Sequence, residues 1–388
     1  MMDWVVQLKS IGSISPLGHD EASVQEAYAQ NKSRIQSINE SETSYWAAKI
    51  SQKSEEHFTE FIRQNPTLRK TDRTVQLAVY ASDWAVKKSG WNVKEIEAIN
   101  IGSSRGATEL WEEHFTYFLL NGRSQIKTSP LTTLGNISSH VANFFQHKGI
   151  AIDHSMTCSS GLLSVLNGLA WLQSGLCQRF IAGASEAPIT PFTIAQMRSL
   201  GIYSNEKDEY PCKSLDLDKK GNTMVLGEGA VAVCMERKHF DELKPGELYI
   251  SGWGSSKEII ESVTGISLEG RALGEAMESA VAMGGRPDVV IAHAPGTVQG
   301  DMAEWNAISS VFGPSLPWVT STKWTTGHLL GCSGLISLEL GYYLLHSGRI
   351  PTLPYIQQPI IKDKVVRSVM INSIGFGGNA VSLIFAIK

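Results

Sequence analysis

The apolar and polar positions of the chain repeat with two periods. Short apolar runs at residues 5–11, 97–102, 150–155, 179–183 and 230–235 have the length and composition of strands, and a second series follows at 248–253, 289–294, 366–374 and 380–387. Between them, residues 20–30, 74–89, 109–120, 129–146, 270–283, 303–312 and 335–346 carry apolar residues at helical spacing. Strands alternating with helices predict an α/β fold. Residues 33–66 are polar and weakly patterned and predict a loop-rich cover, while 185–226 read as one long irregular segment. Loops of that length inside compact domains are usually functional. One segment differs from the rest. After the run at 150–155 comes a small-residue turn holding Cys158, and then a stretch (Leu162, Leu163, Val165, Leu166, Leu169, Leu172) apolar on nearly every face. That pattern predicts a buried helix.

Length sharpens this picture. At 388 residues and 42% hydrophobic, the chain exceeds the roughly 250–300 residues at which a single core stops growing, so two lobes are expected, 1–240 and 241–388. Each has a strand, a small-residue turn with a reactive side chain, and a helix, which is compatible with an internal duplication. A formal net charge of -4 and the absence of any Lys/Arg-rich run argue against nucleic acid or an anionic membrane surface as partner. No signal-peptide pattern opens the chain, and no apolar run approaches the roughly 20 residues of a membrane span, so a cytoplasmic address is expected. The cysteines Cys158, Cys177, Cys212, Cys234 and Cys332 are odd in number and form no CxxC pair. This argues against a disulfide framework and a structural zinc site. A cysteine with a function here acts as a nucleophile.

Four turns carry the candidate chemistry. Cys158 stands where a strand hands over to a helix, beside the unsatisfied N–H groups of a first turn. The partial positive charge there predicts a thiol pKa below its usual value of about 8.5, although a cysteine so placed is as often a small core residue. At 291–301 a strand runs into a Pro/Gly loop with His293 at its mouth. At 321–334, Lys323 and His328 precede a Gly-flanked helix start. At 372–379, Phe376 lies between Gly375 and Gly377, and such glycines imply φ > 0 or a close backbone approach. No helix follows them, so this is not a phosphate-binding loop. In combination, a thiolate can attack a carbonyl while two imidazoles handle the developing charge.

Five stretches extend the reading: TCSSG around Cys158, IAGASEAPITP at 181–191, LGEGA at 226–230, STKWTTGHLLGCSG at 321–334 and NSIGFGGNA at 372–380. With them, the chain resembles the elongating β-ketoacyl-acyl carrier protein synthases of the thiolase superfamily, collinearly over nearly its whole length. The resemblance implies a layered αβαβα thiolase fold of two similar halves. It also implies a dimer (of identical chains, or with a related ketosynthase subunit) and acyl carrier protein as partner. Substrates would ride on that carrier's phosphopantetheine, with no other cofactor and no metal. Cys158 matches the acyl-accepting nucleophile. His293 and His328 match the histidines that promote decarboxylation of the malonyl group and steady the enolate, and Lys323 the lysine that organises them. Phe376 matches the gatekeeping phenylalanine, whose backbone N–H joins that of Cys158 in an oxyanion hole, and the flanking Gly375 and Gly377 let it swing. Thr297 matches a threonine that contacts the phosphopantetheine arm.

The chain departs from the family pattern in four places. Pro295 replaces one pantetheine-contacting threonine. Ser337 stands where a glutamate usually pairs with the lysine, and Glu339, two residues on, is expected to face elsewhere. Arg105 occupies a position where an aliphatic residue gates the acyl pocket; an arginine there would shorten the pocket or meet a polar or conjugated acyl chain. The loop at 216–221 is longer than usual before Gly227. These departures point to a specialised condensing enzyme, of the kind that builds a polyene or other secondary product. Three other readings compete. A non-catalytic, chain-length-determining partner subunit is disfavoured by the intact Cys158, His293 and His328. A coenzyme A thiolase needs a second cysteine that residues 371–388 lack, and a serine hydrolase needs a GxSxG that is absent.

Overall fold

The computed structural model describes residues 4–40, 43–134, 136–259, 266–357 and 365–388. Its first part runs β1 (Trp4–Ile14), α1 (Glu21–Gln30), β2 (Gln36–Glu40), β3 (Thr43–Ala48), α2 (Gln52–Gln64), α3 (Arg73–Ser89), β4 (Ala98–Gly102) and α4 (Thr108–Asn121). It continues with α5 (Thr128–Thr132), α6 (Asn136–Phe144), β5 (Ile150–His154), α7 (Ser160–Ser174), β6 (Arg179–Glu186), α8 (Pro191–Ser199), β7 (Leu226–Gly227) and β8 (Gly229–His239). The remainder is β9 (Leu248–Lys257), α9 (Arg271–Gly284), β10 (Val289–Ile291), α10 (Val298–Phe312), β11 (Trp318–Thr320), α11 (Lys323–Thr326), α12 (Ser333–Ser347), β12 (Ser368–Gly375) and β13 (Asn379–Ile387).

The sheet topology repeats. In the first part β5, β4 and β6 are parallel, β8 runs antiparallel to β6, and β1 antiparallel to β8. In the second, β11, β10 and β12 are parallel, β13 runs antiparallel to β12, and β9 antiparallel to β13. Both series therefore have the third strand at one edge and the first at the other. The two first strands meet through a short antiparallel pairing, Gln7 with Tyr249 and Leu8 with Leu248. Helices α7 and α12 lie against one another and against strands of both series, so they form a central layer. On the outer faces α3 packs on β1, β6 and β8, and α9 packs on β9, β12 and β13. The result is the layered α/β thiolase-like sandwich, with one hydrophobic cluster around α7 and α12 and one under each outer layer.

Several elements differ from the pattern reading for identifiable reasons. Residues 33–66 hold a hairpin (β2, β3) and α2 rather than loops. The buried face of α2 is a narrow stripe at Phe58, with Phe61 and Ile62 partly covered, in an otherwise polar helix. The helix expected over 129–146 is broken into α5 and α6, because Thr133 is extended at φ -66, ψ 137. Inside 185–226, Pro191 at the first turn and a Thr190 cap on the N–H of Thr193 start α8. The strand expected over 289–294 stops at Ile291, and Ala294 turns the chain at φ 28. Among the described residues no helix is long and apolar enough to cross a membrane.

Candidate active site

The turn between β5 and α7 presents the nucleophile candidate. Thr157 sits at φ 51, an unusual conformation for a β-branched residue. Its hydroxyl donates to the carbonyls of Met156 (2.8 Å) and Phe376 (3.2 Å), and Ser373 Oγ donates to the carbonyl of Cys158 (2.9 Å). The turn is thus tied to the β12–β13 hairpin. Gly375 makes this approach possible: a Cβ there would lie 1.9 Å from Thr157 Oγ1 and 3.0 Å from the backbone N of Cys158. Gly377 and Gly378 adopt φ 89 and φ 75, closing the hairpin around Phe376, which is 39% exposed at the cavity mouth. Both reasons expected of the glycines, positive φ and close approach, operate here.

His293 follows β10. Its backbone N–H and that of Ala294 donate to the two oxygens of Glu304 on α10, at 2.9 and 2.7 Å. Asn372 Nδ2 donates to Glu304 as well, at 3.1 Å. Lys323 Nζ donates to the carbonyl of His293. His328 sits between α11 and α12, held by its N–H to the carbonyl of Val225 (2.6 Å) and by Nδ1 to Ser333 Oγ (2.7 Å). With Nδ1 so engaged, Nε2 is the nitrogen left for the cavity. The imidazoles of His293 and His328 are T-shaped, with centroids 5.2 Å apart. One ring nitrogen of each and Cys158 Sγ lie within 4.8 Å of one another. All three residues are buried and line a cavity of about 540 Å³. Sulfur with two imidazoles also suits zinc, but a structural zinc site takes four ligands, and among the described residues this one offers three.

Burial dominates the protonation states. Both imidazoles are held well below the usual histidine value, first by desolvation and then by the Lys323 charge, so they are neutral at pH 7. Lys323 is pushed down to about 8 by burial, with Glu304 the strongest opposing group. The Cys158 thiol is pushed up to about 12, because burial outweighs the pull of Lys323. This corrects the expectation of a thiol lowered by a helix terminus. Cys158 precedes the first residue of α7 by two positions and lies in the sandwich interior, so the loss of water decides.

The remaining sequence candidates fall around the same cavity. Thr297 caps α10 through the N–H of Gly300 (3.2 Å) and lines the mouth with Pro295. Arg105, on the turn after β4, lines the wall. Ser337 is buried beside Thr322 (3.4 Å between hydroxyls), and Glu339 lines a different cavity with Ser13 and His19. The carboxylate nearest Lys323 in effect is therefore Glu304, contributed by α10 rather than α12. Pattern reading missed four contributors: Glu304, Ser333, Glu186 and the buried Lys219–Asp301 pair. In that pair Nζ lies 2.8 Å from Oδ2, tying the loop at 216–221 to α10. Glu186 accepts from the N–H groups of Ser104 and Gly331 on the cavity wall. The one sequence signal for Glu304 was its place on a helix opening just after the His293 loop.

Comparison with known proteins agrees with this geometry. The beta-ketoacyl synthase N-terminal domain family matches residues 6–240, and the corresponding C-terminal domain family residues 249–356. The chain is 26% identical over 408 residues to the 3-oxoacyl-[acyl-carrier-protein] synthase 2 of Coxiella burnetii, covering 98% of each. It is 27% identical over 407 residues to the Vibrio cholerae protein of the same name, again covering 98% of each. Among solved structures it superposes on the ishigamide ketosynthase/chain length factor with a TM-score of 0.86 at 20% identity, covering 99% of both chains. A beta-ketoacyl synthase from Burkholderia phymatum gives a TM-score of 0.82 at 22% identity, with 99% of both chains covered. The repeated topology, the paired histidines above a buried cysteine and both domain matches lead to one conclusion: the chain belongs to the beta-ketoacyl synthase family.

Proposed function

We propose that this chain condenses an acyl group, held as a thioester on Cys158, with a malonyl group delivered on acyl carrier protein. Cys158 Sγ attacks the carbonyl carbon of the incoming carrier thioester. Its proton leaves with the carrier thiol as the C–S bond to the carrier breaks. The N–H groups of Cys158 and Phe376, brought together by Gly375, are the donors assigned to the tetrahedral oxyanion. Malonyl thioester then loses CO2, and its electron pair moves onto the thioester oxygen as an enolate. Neutral imidazoles of His293 and His328 donate N–H to that oxygen. The enolate carbon attacks the Cys158 thioester, a β-ketoacyl-carrier product leaves, and the cysteine sulfur takes up one proton. Lys323 acts on the His293 loop through its carbonyl, and Thr297 at the mouth is assigned to the phosphopantetheine arm. Every step runs through side chains and backbone, and the scheme calls for neither cofactor nor metal.

The observation that carries the proposal is the meeting of Cys158 Sγ and two neutral imidazoles within 4.8 Å at the cavity. The test is intact-mass spectrometry of the protein after exposure to acyl-carrier protein, then to malonyl-carrier protein. An acyl adduct on Cys158 that disappears with release of β-ketoacyl product is expected, and Cys158→Ala abolishes both. A wild-type protein that never takes up an acyl group supports the rival reading, a chain-length-determining partner subunit. The solved structures similar to this chain include a ketosynthase in complex with its chain length factor and a ketosynthase in complex with a type II acyl-carrier protein. A second subunit, identical or related, is assigned to the edge strand β5, where Ile150 is 47% exposed, and to α4, where the stacked rings of Trp111, Phe115 and Phe118 are 46–49% exposed. The division near residue 240 is taken as the trace of a duplication, and the working address as the cytoplasm.

A further inference from the structure

Among the described residues Arg105 is the one guanidinium on a cavity wall that is otherwise mainly apolar and includes Met197, Leu200, Ile202 and Met224. Its backbone is fixed from both sides. The N–H of Ser104 donates to buried Glu186, and the N–H of Gly106, at φ 66, donates to Ser103 Oγ at 2.9 Å. The side chain reaches α8, where Nη2 donates to Gln196 Oε1 at 2.7 Å. Gln196 is neutral, and among the described residues no carboxylate forms an ion pair with Arg105. Its Nε is buried without a hydrogen-bond partner, as is Oε2 of Glu186 behind it. Glu186 is raised to about 7 by burial and drawn back first by the N–H groups of Ser104 and Gly331 and then by the Arg105 charge, and it makes no ion pair with Arg105. An arginine stays charged at any working pH, and a buried donor without an acceptor is destabilising. A saturated hydrocarbon chain filling this cavity would cover the guanidinium and answer none of its donors. A chain bearing an oxygen acceptor at that depth would give the guanidinium a partner on the cavity side.

We infer that Arg105 is a specificity-determining residue that selects acyl groups carrying a carbonyl or carboxylate oxygen along the chain, in preference to saturated acyl groups of equal length. This inference rests on the reading of Cys158 as the acyl carrier and names the class of acyl group. The two sources of such an oxygen, an internal ketone and a terminal carboxylate, present the same acceptor and differ in charge.

The experiment is a competition for Cys158. The full-length protein, with its partner subunit if one copurifies, is offered equimolar hexanoyl-, 5-oxohexanoyl- and adipoyl-carrier protein. The adducts are counted by intact mass at short times. Either oxygenated chain loading about tenfold or more faster than hexanoyl is expected. Preference for adipoyl identifies a carboxylate as the acceptor, and preference for the ketone a carbonyl. Arg105→Met, checked for folding by its melting curve, moves the ratio toward hexanoyl, and Arg105→Lys keeps part of it. Hexanoyl loading as fast as both competitors in the wild-type protein overturns the inference without any variant. So does an Arg105→Met ratio equal to the wild-type one. Absence of every adduct instead removes the reading of Cys158, and the inference with it.

Discussion

Substituting alanine for Gly375 tests whether the hairpin really holds the nucleophile in place. The new Cβ would fall 1.9 Å from Thr157 Oγ1, against an ordinary contact of about 3.5 Å, so roughly 1.5 Å must be recovered. Thr157 can yield only by rotating its hydroxyl away from the carbonyls of Met156 and Phe376, which forfeits hydrogen bonds worth about 1 kcal/mol each. Its backbone, already at φ 51, has little room to help. The Cβ would also stand 3.0 Å from Cys158 N and Met156 O, which forces a further few tenths of an ångström. Overpacking of this kind costs about 1–3 kcal/mol, and with the two lost hydrogen bonds the total comes to about 3–5 kcal/mol. Displacing the Cys158 turn by about 1 Å from the histidines lowers turnover by about 100-fold.

The assay is single-turnover condensation monitored by quench and mass spectrometry, beside a denaturant melt of the same protein. The informative partner is the double variant Thr157→Gly/Gly375→Ala. It deletes the clashing hydroxyl and places at residue 157 the amino acid that accepts a positive φ without strain. Recovery of at least about tenfold over Gly375→Ala is expected, short of wild type because the two 3.0 Å contacts remain. Gly375→Ala with wild-type rates would refute the claim of close approach. A double variant no better than the single would show that the damage does not pass through Thr157.

Other perturbations follow from the same contacts. Glu304→Gln keeps the shape but turns an amide toward N–H donors of His293, Ala294 and Asn372; a loss of about 1–3 kcal/mol by chemical denaturation and at least about tenfold in condensation is expected, and an unchanged protein would discount Glu304 as the holder of the His293 loop. Lys219→Met leaves fully buried Asp301 without its cation and is expected to cost about 3–5 kcal/mol, with Lys219→Met/Asp301→Asn losing less; equal losses would mean that the pair is not coupled. Because the Cys158 thiol is pushed up to about 12, its alkylation by iodoacetamide is expected to go on accelerating with pH through about 10, since thiolate is the reacting form; levelling off near pH 8.5 would contradict a desolvated neutral thiol. Because His293 and His328 are held well below the usual histidine range, malonyl decarboxylation is expected to show no inflection as pH falls through about 6.5, and a break there would assign at least one imidazole an ordinary titration.

What could be read from the amino-acid order depended on whether a residue's role was marked by its neighbours along the chain. Cys158, His293 and Phe376 each stand in a turn beside glycine or other small residues next to a strand, and Lys323 and His328 lie at the start and just past the end of the short α11 that follows β11. Strand and helix alternation likewise followed from periodicity. Glu304 and Ser333 bear no such mark. They are a polar residue on α10 and a serine opening α12, and their meaning arises only when the fold sets them against His293 and His328. The thiol pKa failed for a related reason. A helix terminus is a local feature that can be anticipated, whereas burial of Cys158 in the middle of a sandwich is a property of the assembled layers. The Ser337 departure shows the same distinction, since the carboxylate opposite Lys323 comes from another helix altogether.

The repeated topology explains why the reacting atoms meet at all. Helices α7 and α12 hold equivalent places in the two strand series, and each has glycine as its second residue, Gly161 and Gly334. The contacts are reciprocal. A Cβ on Gly161 would meet the carbonyl of Gly331 at 2.7 Å and Leu335 Cγ at 3.0 Å, and one on Gly334 would meet Leu162 Cγ at 2.6 Å. The two helices therefore cross at their first turns, closer than any residue with a side chain would permit, with a leucine from each seated on the glycine of the other. The segments leading into those turns are the ones that carry Cys158 and His328. Close approach of two nearly featureless apolar helices thus places a sulfur from one half beside an imidazole from the other, and His293 joins them from the end of β10. Each half alone holds only part of the chemistry. The glycine crossing is what joins two strand series of like topology into one reaction centre.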